Sequence, residues 1–175
     1  MLGGLGRSLG KRVAVLDSTA FIIGFTEAGG DVVVTSSKVL EEARWGEAEY
    51  RALAGRESGT IKVIDPKPEY LEEVRRAAER LGEFELSKAD LSILALALQL
   101  SKSGDEVYLV TSDYSIQNLA SKLGIRVKPV LHRGIRRVIS WEIYCSVCGW
   151  VGEGIPGEPC PRCGHRLKRR PRRRT

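Results

Sequence analysis

Short apolar runs rich in β-branched residues at Val13–Leu16, Val32–Val34, Ile61–Ile64, Val107–Val110 and Ile125–Val130 predict strands. Between them, Ser36–Ala54 and Pro68–Leu81 are helical by period and by their Glu, Arg and Ala content, and Leu119 and Leu123 continue the face opened by Ile116. Strands alternating with helices predict a parallel α/β sheet. The stretch Leu91–Leu100 is apolar nearly all round and predicts a buried helix, started by the capping-box-like Ser87-Lys88-Ala89-Asp90.

A chain of 175 residues with 42% hydrophobic content has room for one main domain and a small appendage. The N-terminal MLGGLGRSLGKR lacks the apolar core of a secretory signal, and Leu91–Leu100 is too short to span a bilayer, so a soluble cytoplasmic protein without membrane association is expected. The net charge of +6 hides an asymmetry. From Arg126 onward there are 13 Lys+Arg and 3 Asp+Glu, a net of +10, against −4 before it. An acidic body with a basic tail suits a polyanionic substrate held by counterion release, although such a tail also serves for solubility or targeting. One Met, one Asn and two Gln among many Glu and Arg point to a thermophile.

Four acids change the picture. Asp17 ends RVAVLD, Asp113 ends YLVTSD, Asp90 opens the buried helix, and Glu42 sits with Glu41 in the predicted helix Ser36–Ala54. In open parallel sheets function collects beyond the carboxyl ends of the strands. Carboxylates crowded there repel one another unless a divalent cation sits among them, which points to Mg²⁺ or Mn²⁺ and phosphoryl chemistry. Each acid also has an ordinary reading as a helix cap or first-turn residue. Asp17-Ser18-Thr19 is further compatible with a haloacid-dehalogenase-type nucleophile, but the second Asp of that motif is missing.

All four cysteines fall in Cys145-Ser146-Val147-Cys148 and Cys160-Pro161-Arg162-Cys163, 11 residues apart. Two such knuckles complete a tetrahedral, closed Zn²⁺ shell, so a structural zinc ribbon is expected, with two disulfides as the lesser alternative. His165 is redundant beside four thiolates. Tyr144 and Trp150 are candidates for base stacking or for packing around the zinc. The segment Pro129–Ser140, with His132, Arg133, Arg136 and Arg137, is basic enough to follow a nucleic-acid backbone, as are Arg162, Lys168, Arg169 and Arg170; a lone His132 in a linker is a weak general base candidate.

The stretches VAVLDSTAFI, TSSKVLEEAR, LSKADLSILALALQL and VTSDYSIQNLA resemble the motifs of PIN-domain nucleases. With the Cys-x-x-Cys pairs that follow, the order of domains resembles the NOB family of ribosomal-RNA maturation endonucleases over nearly the whole chain. The family's acid is followed by an apolar or small residue and then Arg, which selects Glu42 over Glu41. The resemblance implies an archaeal source and a PIN-like nuclease domain over 11–130, a basic linker over 131–140, a zinc ribbon over 141–168 and a basic disordered tail over 169–175. It implies that Asp17, Glu42, Asp90 and Asp113 hold one or two Mg²⁺ or Mn²⁺ ions, and that the enzyme trims the 3′ end of small-subunit ribosomal RNA in the precursor subunit, leaving 5′-phosphate and 3′-hydroxyl ends. It also implies association with a KH-domain assembly factor. The chain departs from the family at Ser112-Asp113, where two consecutive Asp residues are common. The alternatives are a non-catalytic RNA-binding assembly factor and a toxin-like PIN ribonuclease acting on other RNA.

Overall fold

The structure, a computed structural model, describes residues 10–23, 31–43, 47–131 and 133–172. The chain runs β1 (Arg12–Leu16), α1 (Ser18–Ile22), β2 (Val32–Thr35), α2 (Ser37–Glu42), α3 (Glu47–Glu57), β3 (Ile61–Val63), α4 (Pro68–Leu81), α5 (Lys88–Lys102), β4 (Glu106–Val110), α6 (Tyr114–Lys122) and β5 (Arg126–Lys128). A second unit adds β6 (Trp141–Tyr144), β7 (Val151–Gly152) and β8 (Lys168–Pro171).

The first five strands form one parallel sheet in the order β3-β2-β1-β4-β5. The central β1 carries four consecutive buried residues, Val13 to Leu16, because helices cover the sheet and neither face alternates with water. The chain winds outward from β1 through β2 to β3, then returns to the other side of β1 as β4, so strand order reverses between β1 and β4. A crevice at such a switch point is where open α/β sheets bind ligands. Leu16 pairs with Val110, which sets Asp17 beside Thr111 at the carboxyl edge.

Helix α5 is buried from Ser92 to Leu98 and packs against α2, α4, β1 and β4, as its apolar composition requires. Helix α4 starts at Pro68 and stops at Gly82 in the left-handed region (φ 78°), the expected asymmetry of start and stop residues. The single helix expected over Ser36–Ala54 is instead two described helices, α2 ending at a cap on Ala43 and α3 starting at Glu47. Gly46, with its low helix preference, lies between them in the sequence.

In the second unit β6 pairs antiparallel with both β7 and β8. Strand β8 takes in residues 169–171, where a disordered tail was expected: their backbone pairs with Trp141–Ile143, and sequence composition carries no trace of that pairing.

Candidate active site and metal centre

Asp17 follows β1 directly and caps α1. Only 2% exposed, its carboxylate is fully engaged: Oδ1 accepts from Ser18 N (2.5 Å) and Ser18 Oγ (3.2 Å), and Oδ2 from Thr19 Oγ1 (2.9 Å) and Thr111 Oγ1 (2.7 Å). A buried carboxylate needs such donors to stay folded inside. Asp113 caps α6, its Oδ1 accepting from Ser115 N (2.7 Å) and Ile116 N (3.0 Å). Asp90 completes a capping box with Ser87, whose N donates to Asp90 Oδ2 at 2.8 Å and whose Oγ accepts from Asp90 N at 3.1 Å. The ordinary capping readings of these three acids are therefore present in the structure.

At Asp90 and Asp113 capping uses only one carboxylate oxygen. Asp90 Oδ1 and Asp113 Oδ2 accept no hydrogen bond among the described residues. Burial pushes the Asp90 carboxyl up, and the facing charges of Asp17 and Asp113 raise it further against the Ser87 hydrogen bonds. Asp90, at the start of α5, thus feels the charges of the acids that follow β1 and β4. Glu42 stands exposed at the end of α2, and its charge is not among those that raise Asp90. Its neighbour Glu41 is paired with Lys38 at 2.8 Å. Among the described residues, no set of acids brings its oxygens as close together as the cysteines bring their sulfurs.

Sequence reasoning passed over the hydroxyls. Thr111 Oγ1 donates to Asp17 and accepts from Asp113 N at 3.0 Å. Ser112, at the position where a second acid was expected, accepts from Leu131 N at 3.0 Å and ties down the start of the linker. The linker is pinned further along by α6: Gln117 Oε1 accepts from Ile135 N at 2.9 Å, and Asn118 both accepts from Ile139 N (2.7 Å) and donates to Ile139 O (2.8 Å). A single Gln-Asn pair in a helix was the available signal, and its burial was not legible. His132 lies outside the described residues.

The four cysteine sulfurs lie within 4.8 Å of one another. Cys145 and Cys163 are 3.5 Å apart and Cys148 and Cys160 3.7 Å, close to the roughly 3.8 Å edge of a tetrahedron with Zn–S bonds of about 2.3 Å. All four are free thiols, so the disulfide alternative does not hold. Backbone N–H groups of Cys148 and Val147 aimed at Cys145 lower its thiol to about 6, despite its burial. At Cys163 the His165 N–H favours the thiolate, but the neighbouring sulfurs, Cys145 first, outweigh it and the thiol is pushed up to about 12. Crowded sulfurs that cannot all ionise alone are what a divalent metal resolves. Gly149 and Gly164 close the two knuckles at φ 71° and 74°, their N–H groups donating to Cys145 O and Cys160 O. Trp150 packs on this cluster, and Tyr144 lies under Arg170, so both aromatic rings have internal partners.

The ribbon docks on the body through Glu83, whose side chain is 2% exposed. Glu83 Oε1 accepts from Asn118 Nδ2 (2.7 Å) and Trp141 Nε1 (3.0 Å), and Oε2 pairs with Arg169 Nη1 (3.4 Å). Arg169 also reaches Glu85 at 2.6 Å and stacks on the Trp141 ring, 4.6 Å from its centroid. Arg169, expected on RNA, is therefore a docking residue, and Arg170 is paired with Glu142 at 2.7 Å. Arg133, Arg136, Arg137, Arg162 and Lys168 are exposed.

The parallel sheet flanked by helices fits the PIN class of nucleases, and residues 14–100 match the family model described as the PIN domain of ribonuclease. Endoribonuclease Nob1 of Pyrococcus abyssi is 41% identical over 165 residues, covering 93% of this chain and 96% of that protein. Endoribonuclease Nob1 of Methanothermobacter thermautotrophicus is 35% identical over 162 residues, covering 89% and 91%. Ribonuclease VapC3 of Aeropyrum pernix is 38% identical over 126 residues, covering 71% of this chain and 91% of that protein. The chain belongs to the Nob1 family of metal-dependent PIN-domain endoribonucleases.

Proposed function

We propose that this endoribonuclease trims the 3′ end of the small-subunit ribosomal RNA in its precursor particle. The observations that support the active site are that Thr111 Oγ1 bonds both Asp17 and the backbone of Asp113 at the carboxyl edge of β1 and β4, and that Asp90 feels the charges of both acids. The free oxygens of Asp90 and Asp113, with the carboxylates of Asp17 and of Glu42 from α2, make up a hard all-oxygen donor set that fits Mg²⁺ or Mn²⁺ better than Zn²⁺. When bound, such an ion supplies an acidified water and neutralises charge on the scissile phosphate and the leaving oxygen. The chain's own residues do the positioning: Thr111, Thr19 and Ser18 hold Asp17, Ser87 holds Asp90, and the first turn of α6 holds Asp113. The products of this reading are a 5′-phosphate and a 3′-hydroxyl.

Zinc in the four-cysteine cluster gives the ribbon its fold, and docking through Glu83 gives it a set orientation on the nuclease body. Arg133, Arg136 and Arg137 project from the pinned linker, and Arg162 and Lys168 from the ribbon, as contacts for the RNA backbone. Arg170, partly spent on Glu142, is a weaker contact. The precursor small subunit in the cytoplasm, together with a KH-domain assembly factor, is the setting this reading implies. Among the described residues no helix is long and apolar enough to cross a membrane.

Cleavage of labelled RNA spanning the mature 3′ end, with Mg²⁺ or Mn²⁺, tests the reading. One cut at the mature end, lost in Asp17→Asn and Asp113→Asn, is expected. Binding without cleavage in the presence of the precursor subunit favours the non-catalytic assembly-factor reading. Efficient cutting of unrelated RNA favours the toxin-like reading, which the similarity to VapC3 keeps in play.

A further inference from the structure

A cleft of about 250 Å³ opens between the start of α2, the first half of α4 and the first turns of α5. Three cations line it, Lys38, Arg75 and Lys88, against one carboxylate, Asp65. Asp65 Oδ1 is taken up by Ser37 N (2.9 Å) and Ser37 Oγ (2.8 Å) at the start of α2. Lys38 and Arg75 pair with Glu41 and Glu72 through half-exposed contacts of the kind that exchange readily, and Lys88 has no ion-pair partner among the described residues.

Ser92 also lines the cleft, from α5. It is 4% exposed, and among the described residues its hydroxyl makes no hydrogen bond, not even to the preceding helical turn. A buried hydroxyl without a partner is unfavourable and is rare in native proteins, so its place on the wall of a cationic cleft marks a position for an acceptor atom. Lys88 lies two residues ahead of Asp90 on α5, and Lys38 lies one turn ahead of Glu42 on the same face of α2. The cationic cleft and the acids thus share two helices.

We propose that this cleft is a subsite for one backbone phosphate of the substrate strand, with Lys38, Arg75 and Lys88 neutralising its charge and Ser92 donating to a phosphate oxygen. The subsite rests on the endoribonuclease reading, and it fixes the register of the strand relative to the cutting centre. The phosphate chemistry is shared by free nucleotides and inorganic phosphate, which the test separates from RNA.

The experiment is fluorescence anisotropy of a labelled single-stranded RNA on the full zinc-loaded chain, without added Mg²⁺ or Mn²⁺, over a series of salt concentrations. Removing one phosphate contact lowers the slope of log affinity against log salt by about 0.7. The triple variant Lys38→Ala/Arg75→Ala/Lys88→Ala is expected to lose that much slope and roughly tenfold in affinity at moderate salt. Ser92→Ala is expected to keep the slope and to melt no lower than the wild type but to bind RNA several-fold more weakly. An unchanged slope in a triple variant that melts like the wild type overturns the proposal. Protection of the wild type by inorganic phosphate, lost in the triple variant while RNA affinity is unchanged, overturns the RNA assignment in favour of a small-anion site. A slope that falls in the triple variant, while the wild type cuts no RNA in a parallel assay with Mg²⁺ or Mn²⁺ added, sinks the nuclease reading and leaves an anion subsite without it.

Discussion

Thr111 Oγ1 lies 2.7 Å from Asp17 Oδ2, a hydrogen bond between residues 94 positions apart in the chain. The same oxygen accepts from Asp113 N at 3.0 Å. One hydroxyl therefore positions two acids on neighbouring strand ends, donating its only proton to one and offering a lone pair to the other. It is a positioning residue for the proposed metal site, acting through Asp17 and Asp113.

Thr111→Val keeps the shape and removes the hydroxyl. Cleavage is expected to fall about 10–100-fold, the usual effect of losing a group that orients a metal ligand. Stability is expected to fall by about 1–3 kcal/mol, because Asp17 is left buried with one donor fewer. Thr111→Ser restores most of the cleavage. Full activity in the Val variant, with melting lowered, assigns the hydroxyl a structural role only.

Asp90 ionises against burial and against Asp17 and Asp113. Its folded-state pKa is raised, so the folded protein binds this proton to higher pH than the unfolded chain does. Ionisation then weakens the fold as pH rises through the range from the ordinary carboxylate value to the raised one, and the penalty persists at neutral pH. Without divalent metal, Asp90→Asn, which keeps an acceptor for Ser87 N, is expected to melt above the wild type at neutral pH. The difference shrinks towards acid, where the wild type is protonated too. The variant loses cleavage and most of the melting-temperature gain on adding Mn²⁺. Equal melting curves across the acid-to-neutral range would show that the three carboxylates do not repel.

Removing zinc with a strong chelator is expected to unfold the ribbon while the body keeps its sheet, since the ribbon's own core is Ile143, Leu167 and the cysteines. Hydrogen exchange would show loss of protection over 141–171 and retention in β1, β4 and α5. Cys160→Ser should behave like the chelated protein. Protection of the ribbon that survives metal removal would mean its packing alone is sufficient.

Glu83→Ala strips three donors, from Asn118, Trp141 and Arg169, of their shared acceptor. Breaking a buried charged pair costs about 3–5 kcal/mol, and the partial exposure of Arg169 (side chain 19%) places the expected loss at or below the lower end of that range. Trp141 fluorescence should shift towards that of a hydrated indole. Cleavage of a short RNA is expected to persist while selection of the mature 3′ end deteriorates. Unaltered site selection would mean that ribbon orientation does not set the cut.

The residue pattern alone determined the five strands of the main sheet, the helix over Pro68–Leu81, the buried α5 and the four-thiol metal set, because periodicity, composition and Cys-x-x-Cys spacing are local properties of a chain. It also placed Asp17, Asp90 and Asp113 at element ends, where caps and sites both occur. What it left open depends on residues far apart. The reversal of strand order brings β4 beside β1 and makes Asp17 face Asp90 and Asp113. Pairing with β6 turns residues 169–171 from an expected tail into a strand, and Arg169, expected on RNA, pairs with Glu83. Those outcomes rest on hydrogen bonds and ion pairs between distant segments, whose geometry exists only once the sheet has closed around its core.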